Sequence, residues 1–342
     1  MTASSELHVV YGSGPVGTAV VEALLEQGKR VRVVTRSGAR KHLAPSAEPV
    51  RGDATDPADT RRACEGASHV YNCTNPTDYH RWPEQFPPLQ RGVLEGAAAN
   101  GAKLIVMDNL YMYGPHGGLP MTENMPMNGH GSRSSTRVQM TEELFAAHRS
   151  GKVRVASVRA ADLFGPHVTE SLVGARLFEP VLAGKPAQLF ANLDLPHTVS
   201  YIGDVGRAMV AVGAHDPALG QAWHAPNAPT VTLRTFVRLL GQEAGIVPRV
   251  SALANPVARA LLPLVGLFVP PMRGIAENMY IGYEPYIVDH SAYAGAFGDH
   301  ATPLPEAIRA TVQWYRAHTA REQHSPAVSS TTASSLITQH PE

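Results

Sequence analysis

Cysteine is nearly absent: Cys64 and Cys73 are the only two in 342 residues. Two thiols cannot staple a chain of this length. Both fall in apolar or strand-like surroundings, so they are expected as buried free thiols of a reducing compartment. No sign of charge is in excess either, since Lys plus Arg and Asp plus Glu number 29 each. That balance argues against a nucleic-acid or acidic-membrane partner, which requires a basic face. Long apolar runs are missing too. The richest, ALLPLVGLFVPPM at 260–272, is broken by Pro263 and Pro270 and falls short of the roughly 20 residues of a spanning helix. It is expected as a buried helix or pocket wall, with no membrane partner. The opening MTASSELHVVYG has no basic region followed by an apolar run, so a cytoplasmic location is expected. HExxH, CxxC and GxSxG spacings are absent as well, which leaves a zinc site or a serine hydrolase unsupported and no metal ligand to name.

What is present is an apolar fraction of 44%, enough for a substantial core in one large α/β domain or a domain with a smaller companion. LHVVYG (7–12) reads as a buried strand ending in glycine. PVGTAVVEALLEQG then sets Val16, Ala19, Val20, Ala23 and Leu24 on one helical face, with Pro15 in the first turn and Gly28 as the stop. Further strands are predicted at 30–36, from 48 with an exit by 56, at 67–74, 102–109 and 153–160. Helices are predicted through Phe86, Leu89, Val93, Leu94, Ala97 and Ala98, and over about 134–149. Strands joined by crossover helices give a doubly wound parallel sheet, the Rossmann architecture.

After residue 165 proline and glycine become frequent and the elements shorten. Residues 1–165 are therefore expected to form the dinucleotide-binding domain, with segments at about 197–225 returning to it. Residues 166–318 are expected to form mainly a smaller, interleaved substrate domain. Asp204, just before GRAMVAV, is expected as a helix N-cap. The polar, Ser/Thr-rich stretch 319–342 is expected to be a disordered tail.

Gly12-Ser13-Gly14-Pro15-Val16-Gly17 follows the first strand directly and opens the first helix, the context in which a GxGxxG spacing carries meaning. The first two glycines would let backbone N–H groups approach a pyrophosphate, the helix N-terminus adds partial positive charge, and the third brings helix close to sheet. An acidic residue at the end of the second strand would favour NAD. Thr35-Arg36-Ser37 stands there instead. Arg36 can pair with a 2′-phosphate and the two hydroxyls can add donors, so NADP is expected rather than NAD. Asp53 and Ala54 are placed to meet the adenine, and Cys73, Thr74 and Asn75 to line the pocket along the cofactor.

Together with GDATD, DNLYMYGP (108–115), RAADLFGP (159–166), HTVSYIGDVGRA (197–208) and the closing YIVDHSAYAGAFG…TPLPEAIRATVQWYRAH, these residues resemble the extended short-chain dehydrogenase/reductase family, also called the NAD-dependent epimerase/dehydratase family. The resemblance runs from about residue 6 to 318 and is nearest to an atypical branch without the ordinary active-site tetrad. It implies hydride exchange between nicotinamide and a substrate carbon, with a tyrosine phenol moving the proton. A lysine four residues on lowers that phenol's pKa from about 10. It also implies a homodimer through the helices at about 84–100 and 134–149.

The expected Tyr-x-x-x-Lys is missing, since residues 114–200 contain no tyrosine. The family's serine position falls on Asn109, whose amide can hold a carbonyl oxygen. The lysine position falls on Arg133 or Ser134, and the tyrosine position on Gly129 or His130. Three readings stay open. In the first, substitutes carry the chemistry: Tyr111 as the phenol, Arg133 or Arg137 as the acidifying cation, or His130, whose ordinary pKa near 6.5 suits proton transfer. Alternatively, reduction of an activated C=C or C=N bond needs no such pair. Or the chain is a catalytically silent NADP(H)-binding regulator. The expected function is an NAD(P)-dependent oxidoreductase acting on a small carbonyl- or enone-like substrate, with a sugar-nucleotide epimerase or dehydratase as the alternative enzyme. Tyr79, Trp82, Tyr113 and Phe164 are expected around the substrate pocket.

Overall fold

A computed structural model describes residues 6–39, 44–76, 78, 81–252 and 277–324, with side chains to residue 320. The apolar run at 260–272, the last residues of the expected tail (325–342) and Tyr79 lie outside the described residues. Seven parallel strands make the central sheet: β1 (Leu7–Tyr11), β2 (Arg30–Thr35), β3 (Glu48–Arg51), β4 (Ala67–Asn72), β5 (Lys103–Asp108), β6 (Val155–Arg159) and β11 (Ala222–His224). Their order is β11-β6-β5-β4-β1-β2-β3. Strand order therefore reverses between β1 and β4. In an open α/β sheet a ligand crevice lies at such a reversal, outside the carboxyl ends of the strands.

Alternation along each strand sends neighbouring residues to opposite faces, and both faces are covered. Val10 and Val33 point toward α1 (Pro15–Glu26) and α6 (Ile202–Ala214), meeting Val20, Leu24, Val205 and Met209. Val9 and Leu104 point the other way, toward α3 (Trp82–Ala99) and α4 (Ser132–Arg149), meeting Val93, Ala97 and Leu144. A short helix, α2 (Pro57–Ala63), is capped by Asp56, which accepts from Ala58 N at 2.8 Å.

A separate core holds Phe164, Phe178, Phe236 and Tyr315, the last three drawn from α5 (Ala175–Leu182), α7 (Leu233–Ala244) and α10 (Leu304–His324). Short strands pair beside it: β7 (Asp162–Phe164) with β10 (Val199–Tyr201), β8 (Ala187–Leu189) with β13 (Val250–Ala252), and β9 (Pro196–His197) with β12 (Val231–Thr232). Two further helices, α8 (Met279–Tyr283) and α9 (Ser291–Phe297), complete the described chain.

Three elements differ from the sequence reading. Helix α3 begins at Trp82, a turn before Phe86, because Pro83 suits a first turn, where no N–H is needed. Helix α10 runs on to His324, past the expected start of the tail at 319, since nothing in TAREQ breaks a helix. Asp204 does not cap α6. Tyr201 holds the N-cap position, and the Asp204 carboxylate accepts from Thr302 N at 2.9 Å and Thr302 Oγ1 at 2.7 Å. It thereby ties α6 to the segment before α10.

Candidate active site

The glycine turn sits at the β1 exit, beside the β4 exit. Gly12 N donates to Val34 O at 3.0 Å, and Cys73 N donates to Tyr11 O at 3.0 Å, so the two exits are fastened to the sheet. A Cβ on Gly17 would lie 2.0 Å from Gly12 O, which makes this glycine obligatory for the turn. A Cβ on Gly14 would meet nothing within 4 Å. Gly14 therefore faces open space directly before the N-terminus of α1, with Ser13 half-buried beside it and Pro15 and Val16 in the first helical turn. Open space at the positive end of a helix is the fit a pyrophosphate requires.

Arg36 and Ser37 are exposed at the end of β2. Thr35 Oγ1 accepts from Gly38 N at 3.0 Å, and Ser37 Oγ accepts from Ala39 N at 3.2 Å. Both hydroxyls shape this turn by accepting and keep their O–H groups to donate. Asp53 is exposed and organises its own loop, accepting from Thr55 N and Thr55 Oγ1, both at 2.8 Å. Ala54 is buried under α3. At the β4 exit Asn72 Oδ1 accepts from Thr74 N at 3.1 Å and from Thr74 Oγ1 at 2.7 Å. Asn75 is exposed next to it, and burial pushes the Cys73 thiol up, so that it stays protonated.

At the β5 exit Asn109 Oδ1 accepts from Tyr111 N at 3.1 Å, which commits its carbonyl to the turn and leaves its NH2 to donate. Tyr111 is half-buried and stacks on Trp82 with ring centroids 5.9 Å apart. Trp82 itself is 1% exposed in a cluster with Phe86 and Met140. It is a wall behind Tyr111 and not a cap over a pocket.

Two other expected pocket residues are core. Phe164 is buried edge-on against Phe236, 5.3 Å between centroids. Tyr113 is buried and receives a hydrogen bond from Arg159 Nη1 at 2.6 Å, with its hydroxyl 2.9 Å from His224 Nε2. His224 Nδ1 lies 2.7 Å from Asp289 O. These partners put the His224 proton on Nδ1, and burial lowers the pKa of that imidazole. The sequence reading missed this because its members come from the turn after β5, from β6 and from β11, joined only when the strands lie side by side.

Of the two places expected for a tyrosine, Gly129 is closed. Gly129 N donates to Met112 O at 2.8 Å, and a Cβ on Gly129 would lie 2.6 Å from Tyr111 O. No side chain fits there. His130 is exposed, with Nδ1 3.3 Å from Asn128 O, and Arg133 is half-buried in the first turn of α4. Arg137, one turn further, is buried and pairs with Asp108.

Two more groups face this region that no sequence spacing announced. Asp162 Oδ2 and His197 Nε2 are 2.8 Å apart, and the His197 ring stacks on Tyr286 at 5.1 Å. Glu277 packs against Gly131, where a Cβ would fall 1.7 Å from Glu277 Oε1. Among the described residues no group of three or more His, Cys, Asp or Glu could hold a metal ion, and no helix is long and apolar enough to cross a membrane.

A model of the NAD dependent epimerase/dehydratase family matches residues 9–223. The chain belongs to that family. Among solved structures, gox2253 superposes with a TM-score of 0.76 at 19% identity, over 92% of this chain and 98% of its own. UDP-glucose 4-epimerase of Thermotoga maritima, solved with UDP-glucose, gives 0.73 at 18% identity over 92% and 99%. The dTDP-glucose 4,6-dehydratase of Bacillus anthracis, solved in complex with NAD, gives 0.73 at 16% over 92% and 98%. Likeness at these identities establishes the shared fold. A comparison with curated proteins returns no match. Within this epimerase/dehydratase fold the chain keeps the glycine turn and the strand exits, while the segment before α4 holds Gly129, His130 and Gly131 with no tyrosine.

Proposed function

We propose that the protein is an NADP(H)-dependent oxidoreductase acting on a small carbonyl compound or enone. The observation that carries this reading is the glycine turn, where Gly17 is packed shut and Gly14 opens on free space at the N-terminus of α1. Exposed Arg36 and Ser37 at the end of β2, with no acidic residue among them, favour a 2′-phosphate over a bare ribose. When bound, the reduced nicotinamide supplies the hydride. The chain's own residues do the rest: Gly12 to Gly17 hold the pyrophosphate, Thr74 and Asn75 border the cofactor, and the Asn109 NH2 donates to the substrate oxygen. A sugar-nucleotide epimerase is the weaker reading, because oxidising and re-reducing one carbon calls on the absent Tyr/Lys pair. We extend the proposal to a homodimer through α3 and α4, which light scattering of the purified protein tests.

Fluorescence titration with NADPH and NADH checks the cofactor. Arg36→Asp is expected to weaken NADPH binding by about tenfold or more, the loss of one or two charge-assisted hydrogen bonds, and to leave NADH binding nearly unchanged. Equal losses for both would remove the NADP assignment. Tight NADPH binding with no turnover on any diketone or enone would favour the silent regulator.

A further inference from the structure

The chain lacks the family's tyrosine, yet one carboxyl group packs beside the loop where that tyrosine was expected. Glu277 packs against Gly131, the residue before α4, and its carboxylate receives hydrogen bonds from the backbone N–H groups of Ser132 and Arg133. Gly131 has φ +90°, and any side chain on it would collide with Glu277 Oε1. The loop is thus built around the carboxyl. Oε1 is buried and has no hydrogen-bond partner among the described residues. A buried acceptor without a partner is costly unless it carries a proton or meets a ligand. Tyr280, one turn on, also has a buried hydroxyl without a partner among the described residues. Tyr280 packs in one cluster with Tyr113 and Tyr286.

Resting on the oxidoreductase reading above, we propose that Glu277 is the catalytic acid that replaces the missing tyrosine. Its carboxyl O–H breaks as a new O–H forms on the substrate oxygen, which takes up the substrate's π pair while the substrate carbon gains a C–H bond from the hydride named above. The carboxylate left behind is held by the Ser132 and Arg133 N–H groups at the positive end of α4. Solvent then returns the proton. Burial raises the pKa of Glu277 despite the opposing pull of those N–H groups, of the Arg133 guanidinium and of His130. The other titratable group facing it is Tyr280, whose hydroxyl burial pushes well up and keeps protonated. A glutamate kept only to cap a helix would be held below its ordinary value.

The test is Glu277→Gln, which keeps an oxygen for the two N–H groups and removes the proton. In protein labelled at the glutamate carboxyl carbons and free of cofactor, the resonance lost in this variant is expected to titrate above the ordinary value of about 4.3. A resonance titrating at or below that value overturns the proposal. Should the variant fail to fold, Glu277→Asp removes the same glutamate resonance. With diacetyl and 2-cyclohexenone as probes, kcat is expected to fall by about 100-fold or more while NADPH affinity holds. Unchanged kcat on a probe the wild type turns over also overturns it. If neither probe turns over, the carboxyl titration decides alone. Failure of wild-type NADPH binding would instead strike the oxidoreductase reading and leave that titration standing.

Discussion

Arg137 Nη1 lies 3.1 Å from Asp108 Oδ1, and neither side chain is more than 6% exposed. The guanidinium also sits over the Phe86 ring, 4.0 Å from its centroid. Asp108 completes its set with Asn109 N at 2.9 Å and Thr141 Oγ1 at 3.3 Å. This pair joins α4 to the β5 exit, the strand end that carries Asn109. Arg137→Met leaves a buried carboxylate without its counter-charge, a loss of about 3–5 kcal/mol. Urea unfolding should show it, and adding Asp108→Asn to Arg137→Met should recover most of the loss. A variant pair no more stable than the single variant would mean that the ring contact, and not the charge pairing, holds α4 in place.

Gly14 and Gly17 should separate binding from folding. Gly17→Ala drives a methyl into Gly12 O and is expected to lower the melting temperature strongly. Gly14→Ala puts its methyl into open space, so the melting temperature should hold. The same methyl stands in the pyrophosphate cradle, so NADPH affinity should fall by about tenfold or more. Retained affinity in Gly14→Ala would move the cofactor elsewhere.

Tyr113→Phe removes the hydroxyl shared by Arg159 and His224. A buried guanidinium whose Nε has no hydrogen-bond partner among the described residues then loses another contact. The expected cost is about 1–3 kcal/mol in urea unfolding, with NADPH affinity unchanged. A weakened affinity would show that this network reaches the cofactor.

Acid should destabilise the sheet through His8. Its pKa is lowered to about 4, first by burial and then by neighbouring His69 and Lys29, against the pull of Glu6. The unfolded chain therefore takes up this proton near 6.5 and the folded one only near 4. Stability present above pH 6.5 is lost as pH falls between those values, by about 3 kcal/mol for this group. His8→Phe keeps a ring for the stack on His69, 4.6 Å away, and should flatten the fall in melting temperature between pH 7 and 5. An equally steep fall in the variant would assign the acid sensitivity to other groups.

The sequence by itself determined the sheet's first six strands, the helices between them and the glycine turn, because these rest on local rules. Period-two and helical spacing, proline in a first turn and glycine at a tight exit all act within a few residues. It also determined that no tyrosine could serve before α4. Only the tertiary structure decided what fills that place. Gly129 is pinned by Tyr111 and Met112, and Glu277 is brought in from a segment 146 residues after Gly131. Asp162 meets His197 across 35 residues, and Tyr113 meets His224 across 111. Phe164 and Trp82, read as pocket residues, went to the core. Such pairings depend on which strands lie side by side and on how much space their packing leaves, and no local spacing records either.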